Sequence, residues 1–220
     1  MDPKLPAAEA LVLDYLQAGA PADMRMAYVR KLLEAQRYKE ADAQVLQLNA
    51  SEPSFAEAWL VHGSLALQDK QWAEAQKALD TFVSLRQKPD SANADPDGDR
   101  GLSQAYFLLA DIAEQNQKPE AAQAYLALIS SPQDAIRVRA RLAAILARQG
   151  KLSEARALIH SAPETLAEDA RAKISAEAQL LRQQAVRTGV PLSARRRAGQ
   201  SVGCGFALRP RHGRREAGQD

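Results

Sequence analysis

A 34-residue echo constrains this chain more than any other feature. Ala22, Tyr38 and Ala41 are followed 34 positions on by Ala56, Trp72 and Ala75, and Pro53 is answered by Pro89, two residues beyond the expected place. A fixed period of this length predicts stacked helical hairpins, each burying its apolar face against its neighbours. With Ala22 as position 1, a first helix (A) carries Met24, Tyr28, Val29, Leu32 and Leu33 at three- and four-residue spacing. A second helix (B) carries Ala41, Val45 and Leu48 and is stopped by Pro53. Position 20 has to be small because the two helices come closest there, and Ala41 fills it.

The register can be followed along the chain. The first unit spans 22–55 and the second 56–85, where Trp59, Gly63, Ala66, Trp72, Ala75 and Leu79 make the clearest copy. Gly63 permits close backbone approach. Residues 86–102 are polar and rich in turn formers, which predicts a loop inserted between units. Its run from Asp95 to Asp99 lacks the spacing and terminal Glu of a calcium loop. A third unit, 103–135, holds Tyr106, Leu109, Ala110, Ala113 and Ala122. A fourth, 136–169, holds Leu142, Ala143, Leu146, Ala155 and Ile159, with Gly150 as a left-handed residue closing its helix A.

Both ends of the array, 22–186, read as cut in mid-hairpin. A half-unit at 170–186 places Ile174, Leu180 and Leu181 on one face, and no helix B follows it. Residues 1–21 show the complementary defect: Ala8, Val12 and Tyr15 predict an orphan helix B whose helix A is missing. Natural arrays usually end in polar capping helices.

The formal net charge of +2 conceals an asymmetry. Residues 187–220 hold eight Arg, no Lys and only Glu216 and Asp220 as acids, a net of +6, which leaves −4 for the first 186 residues. A mildly acidic folded part argues against a nucleic-acid surface. Arg137, Arg139, Arg141, Arg148 and Arg156 fall on different helix faces with no aromatic platform beside them. The segment 187–220 reads as a basic disordered tail, or as an out-of-frame translation. Permitted codons for Gln183 to Val190, read one nucleotide later, can give Ser-Arg-Arg-Tyr-Ala-Gln-Ala-Tyr, which restores an aromatic at position 17 and Ala at position 20.

Other chemistry finds little support. A lone Cys204 excludes an internal disulfide framework and a structural zinc site. His62, His160 and His212 are scattered, and His62 occupies a packing position of helix A. No nucleophile is spaced with a base, and no phosphate loop or metal-ligand spacing is present. No enzyme, cofactor or metal is expected. No apolar run of membrane-spanning length occurs, and the start lacks the pattern of a secretory signal.

The period and the series Trp59, Gly63, Ala66, Trp72 and Ala75 resemble the tetratricopeptide repeat (TPR) family across residues 8–186. The resemblance implies an all-α, right-handed superhelical array of antiparallel helix pairs that binds proteins. The stretches Ala56 to Gly63 and Ala147 to Lys151 look like long bacterial envelope repeat proteins, some of them lipoprotein adaptors. The chain as given reads as cytoplasmic, and as periplasmic if it is a piece of such a lipoprotein.

In that family a concave groove is lined by set positions of helix A. Carried over residue by residue, they fall on Leu60 and Ser64 in the second unit and Phe107, Asp111 and Glu114 in the third. In the fourth they fall on Arg137, Arg141 and Arg148. An apolar and acidic stretch would thus pass into a basic one, fitting a segment with an apolar anchor and an acid. The Lys and Asn of the family's carboxylate clamp are absent, since those positions hold Leu60, Ser64, Phe107 and Asp111. The expected function is a scaffold that binds a peptide or helix of a protein partner, with no nucleic acid. The alternatives are a module that self-associates through its uncapped ends, or a fragment without independent function.

Overall fold

The computed structural model describes residues 5–87, 96–161 and 167–188, with side chains for 9–87, 100–161, 171–182 and 186. The centre of the expected loop, residues 88–95, and residues 189–220 of the expected tail, with Cys204 and His212, lie outside the described residues.

All regular structure among the described residues is helical. The chain runs α1 (Leu5–Gln17), α2 (Ala22–Glu34), α3 (Tyr38–Ser51), α4 (Ala56–Gln68) and α5 (Trp72–Arg86). It continues as α6 (Pro96–Gln115), α7 (Pro119–Ala127), a 3-10 turn (Pro132–Asp134), α8 (Ala135–Arg148), α9 (Leu152–His160) and α10 (Ala167–Thr188). Helices pack as α2 with α3, α4 with α5, α6 with α7 and α8 with α9. The second helix of each pair packs on the first helix of the next, ending with α9 on α10. This is an all-α solenoid of antiparallel helix pairs.

One turn closes all four pairs. Gln36, Lys70, Gln117 and Gly150 each take a left-handed conformation, with φ of 59°, 61°, 57° and 89°. At each, the next residue's N–H reaches back to a carbonyl of the ending helix: Arg37 to Leu32, Gln71 to Ala66, Lys118 to Ala113 and Lys151 to Leu146, at 2.8–2.9 Å. The left-handed residue itself donates to Leu33, Leu67, Glu114 or Ala147. This double bond back to the last turn satisfies carbonyls that a helix end otherwise leaves unpaired.

Small residues set the spacing within each pair. Ala41, Ala75, Ala122 and Ala155 are fully buried at matching places in α3, α5, α7 and α9. The core is segmented along the solenoid. One cluster joins Met26, Val29, Val45 and Leu48 to Leu65, and the next joins Leu79 and Phe82 to Leu109 and Ile112. Interior first helices are therefore buried on two faces. In α8, Val138 and Ile145 join the cluster of α6 and α7, whereas Ala143 and Ala147 join that of α9 and α10.

Two expectations need correction. Residues 96–102, expected within a loop, form the first turns of α6. Pro96 suits a first helical position because its fixed φ matches the helix and its missing N–H would be unpaired there anyway. Gly101 fits against α5, where a Cβ would stand 3.1 Å from Phe82 Cζ. At the other end α1 is helical, but Val12 and Tyr15, expected as packing positions, are exposed.

Candidate partner-binding groove

The first helices of successive pairs stand side by side, with α4 against α6 directly. On them, Leu60 and Ser64 are half-buried. Leu60 leans toward α6, its Cδ2 3.8 Å from where a Gly101 Cβ would be. Ser64 Oγ donates to the Leu60 carbonyl at 2.8 Å, so its proton is used within its own helix.

Phe107 was expected to line the groove, and the structure buries it instead. Only 4% of it is exposed, within the cluster that holds Ala110, Leu126 and Val138. The exposed Arg137 closes over it, its guanidinium carbon 4.0 Å from the ring centroid. A cation over the face of an aromatic ring is attracted by the ring quadrupole. Phe107 is a core residue with a charged lid.

The remaining four expected residues come together across the seam between α6 and α8. Arg141 Nη2 donates to Asp111 Oδ1 and to Glu114 Oε1, the latter at 3.1 Å, while Arg148 Nη2 donates to Glu114 Oε2. Glu114 is the hub, its side chain only 14% exposed. Burial, and then the nearby Arg148, push the Arg141 guanidinium pKa below its ordinary value. The paired carboxylates compensate for water that a half-buried cation has lost. The acidic and basic stretches expected to follow one another along the groove instead face each other, two charges of each sign. Arg30 and Glu57 make a comparable link between α2 and α4 at 2.6 Å.

Sequence reasoning found the members of this network and missed its pairing. Glu114 is 34 residues from Arg148 and 27 from Arg141, and Arg30 is 27 from Glu57. Separations near one period place residues on adjacent first helices, and that was the available signal. Beside the network lies an open recess of about 290 Å³, lined by Glu114, Gln117, Pro119, Ile145, Arg148 and Gln149. It is at the lower limit for a small-molecule pocket.

His62 serves the scaffold. It is buried in α4, with Nδ1 3.0 Å from Asp42 of α3 and Nε2 3.4 Å from Glu74 of α5, and so links three helices. Among the described residues no group of His, Cys, Asp and Glu side chains is placed to hold a metal ion. No described helix is long and apolar enough to cross a membrane.

No family model and no curated protein matches the chain by sequence. Solved structures match it by fold. One is YrrB, described as a TPR protein with an unusual peptide-binding site, at 14% identity over 68% of this chain and 71% of that one, TM-score 0.53. MamA matches at 13% identity over 78% and 87%, TM-score 0.54. PilF of Pseudomonas aeruginosa matches at 18% identity over 90% and 93%, TM-score 0.51.

Proposed function

We propose that this chain, a tetratricopeptide-type solenoid by fold, is a protein-interaction scaffold that holds a peptide or helix of a partner against α4, α6 and α8. The observation that carries this reading is the row of half-buried and paired groups those adjacent helices share: Leu60 and Ser64, then Asp111, Glu114, Arg141 and Arg148. Leu60 supplies an apolar contact. Arg148, 54% exposed, is held by a charge pair that is cheap to exchange for a partner's carboxylate. The peptide site named for YrrB supports the same use of the fold. Because the four network charges cancel, a partner is recognised by shape and short-range exchange, with a shallow dependence on salt. The reading contains no catalytic step.

Selection of random linear peptides on the immobilised chain tests it. Peptides recovered on the wild type should bind Leu60→Lys and Arg148→Glu at least about tenfold more weakly. Peptides that bind both variants as well as the wild type would reject the groove.

A further inference from the structure

The three seams between the four helix pairs are not built alike. At the first, α3 has 14 residues, and its Val45 and Leu48 share a core with Ala58 and Leu65 of α4. At the second, α4 packs on α6 directly, and Leu79 and Phe82 of α5 share a core with Tyr106, Leu109 and Ile112. At the third, the supporting helix α7 has only 9 residues, and Leu126 is the one large side chain that it buries. Leu128, just past its end, is 56% exposed.

The connection at this third seam is longer as well. It runs from Leu128 to Asp134, against Glu52 to Phe55 between α3 and α4, and it carries Ser130, Ser131 and the 3-10 turn at Pro132. A few such positions between elements can absorb the backbone rotation of a moving body.

Charge holds the groove side of the third seam. Arg141 reaches Asp111 and Glu114, Arg148 reaches Glu114, and Arg137 lies over Phe107, each a long side chain crossing from α8 to α6. The side chains of Arg141 and Asp111 are both 37% exposed, so water can replace the contact when it parts. Closing costs Arg141 and Glu114 part of their hydration, which offsets much of their attraction. Closed and open arrangements therefore lie near one another in free energy, as a two-state element requires.

We infer that the third seam is a charge-latched hinge: α8, α9 and α10 swing as one body about residues 128–134, and Asp111, Glu114, Arg141 and Arg148 hold its groove side shut. The three helices move together because Ala143, Ala147, Ala155, Ile159 and Leu180 form one core. Opening carries Arg137 off the Phe107 ring. Peptide capture in the groove requires neither state in particular, so failure of either reading leaves the other standing.

Pulsed electron spin resonance on the chain without a partner tests the hinge. Nitroxides sit at Gln104→Cys on α6 and Arg171→Cys on α10, both exposed, in a Cys204→Ser background. A control pair at exposed Ala27→Cys and Gln68→Cys stays on one side of the seam. The 104–171 pair should show one dominant distance. In Glu114→Gln and in Asp111→Asn a second, longer distance should gain at least about fivefold over the first. Glu57→Gln, which loosens the first seam, should leave the 104–171 pair as it was, and the control pair should keep one distance in both latch variants. Circular dichroism verifies helix content, and Asp111→Asn alone decides if Glu114→Gln does not fold. An unchanged 104–171 distance in the folded latch variants would overturn the hinge. So would an equal gain in Glu57→Gln, or a control pair that broadens along with the latch variants.

Discussion

Gly63 of α4 lies directly under Leu79 of α5, so that a Cβ on Gly63 would stand 2.7 Å from Leu79 Cγ and 2.8 Å from its Cδ2. Leu79 is fully buried among Ala66, Phe82 and Leu109 and has no open side toward which to move. Gly63→Ala should therefore destabilise the protein by about 1–3 kcal/mol, despite the better helix propensity of Ala. Urea unfolding followed by circular dichroism reads the change. A stability equal to or above wild type would show that the pair can separate at little cost.

The four inter-helix turns offer a stabilisation experiment. Gln36, Lys70 and Gln117 adopt a left-handed backbone that side chains disfavour by roughly 1–2 kcal/mol. Replacement by Gly relieves that strain but adds about 0.4–1 kcal/mol of unfolded-state entropy. Gln36→Gly and Lys70→Gly should each raise stability by about 0.5 kcal/mol, and Gly150→Ala should lower it by about 1 kcal/mol. Midpoint shifts of the same sign in all three would refute the turn geometry.

The docking of α1 should depend on acid. The hydrogen bond from Tyr28, and then that from Arg37, hold the Glu9 carboxyl below the usual carboxylate range. A carboxylate with a depressed folded pKa contributes its stabilisation above the ordinary range and loses it as pH falls through the folded value. Tyr28, pushed up to about 12 by burial and then by Glu9, keeps its proton through the usual phenol range and releases it only above that. Amide chemical shifts of Leu11 and Leu16 should move on acidification below the carboxylate range, and Glu9→Gln should produce that shift already at neutral pH. An α1 whose shifts ignore both would not be held by Glu9.

Removal of the groove hub should cost more than removal of its exposed arm. Glu114→Ala leaves half-buried Arg141 with Asp111 alone and should cost about 1–3 kcal/mol. Arg148→Ala removes a largely solvated partner and should cost under about 1 kcal/mol. A double-mutant cycle between positions 114 and 148 gives their coupling. Equal losses from the two single variants would contradict the hub arrangement.

Legibility differed by the kind of signal. Small residues at the closest approach of two helices, such as Ala41 and Ala75, could be read because packing there admits little else. Gly150 could be read as a left-handed turn, whereas Gln36, Lys70 and Gln117 could not, since nothing in their chemistry favours that conformation. The helical start at Pro96 was hidden by the turn formers around it. Phe107 fell in a groove-lining position by register, yet its ring turns into the core and leaves Arg137 on the surface.

The repeat period, the helical fold class and the amphipathic pattern of the pairs are properties of the linear chain. Each depends on residue type and on spacings of three, four and 34, which local geometry converts directly into helices and stacks. The partnering of Arg141 with Asp111 and Glu114, the lid of Arg137 over Phe107 and the burial of His62 between Asp42 and Glu74 were decided by tertiary structure. These depend on how neighbouring helices align once the pairs stack, which no spacing along the chain specifies.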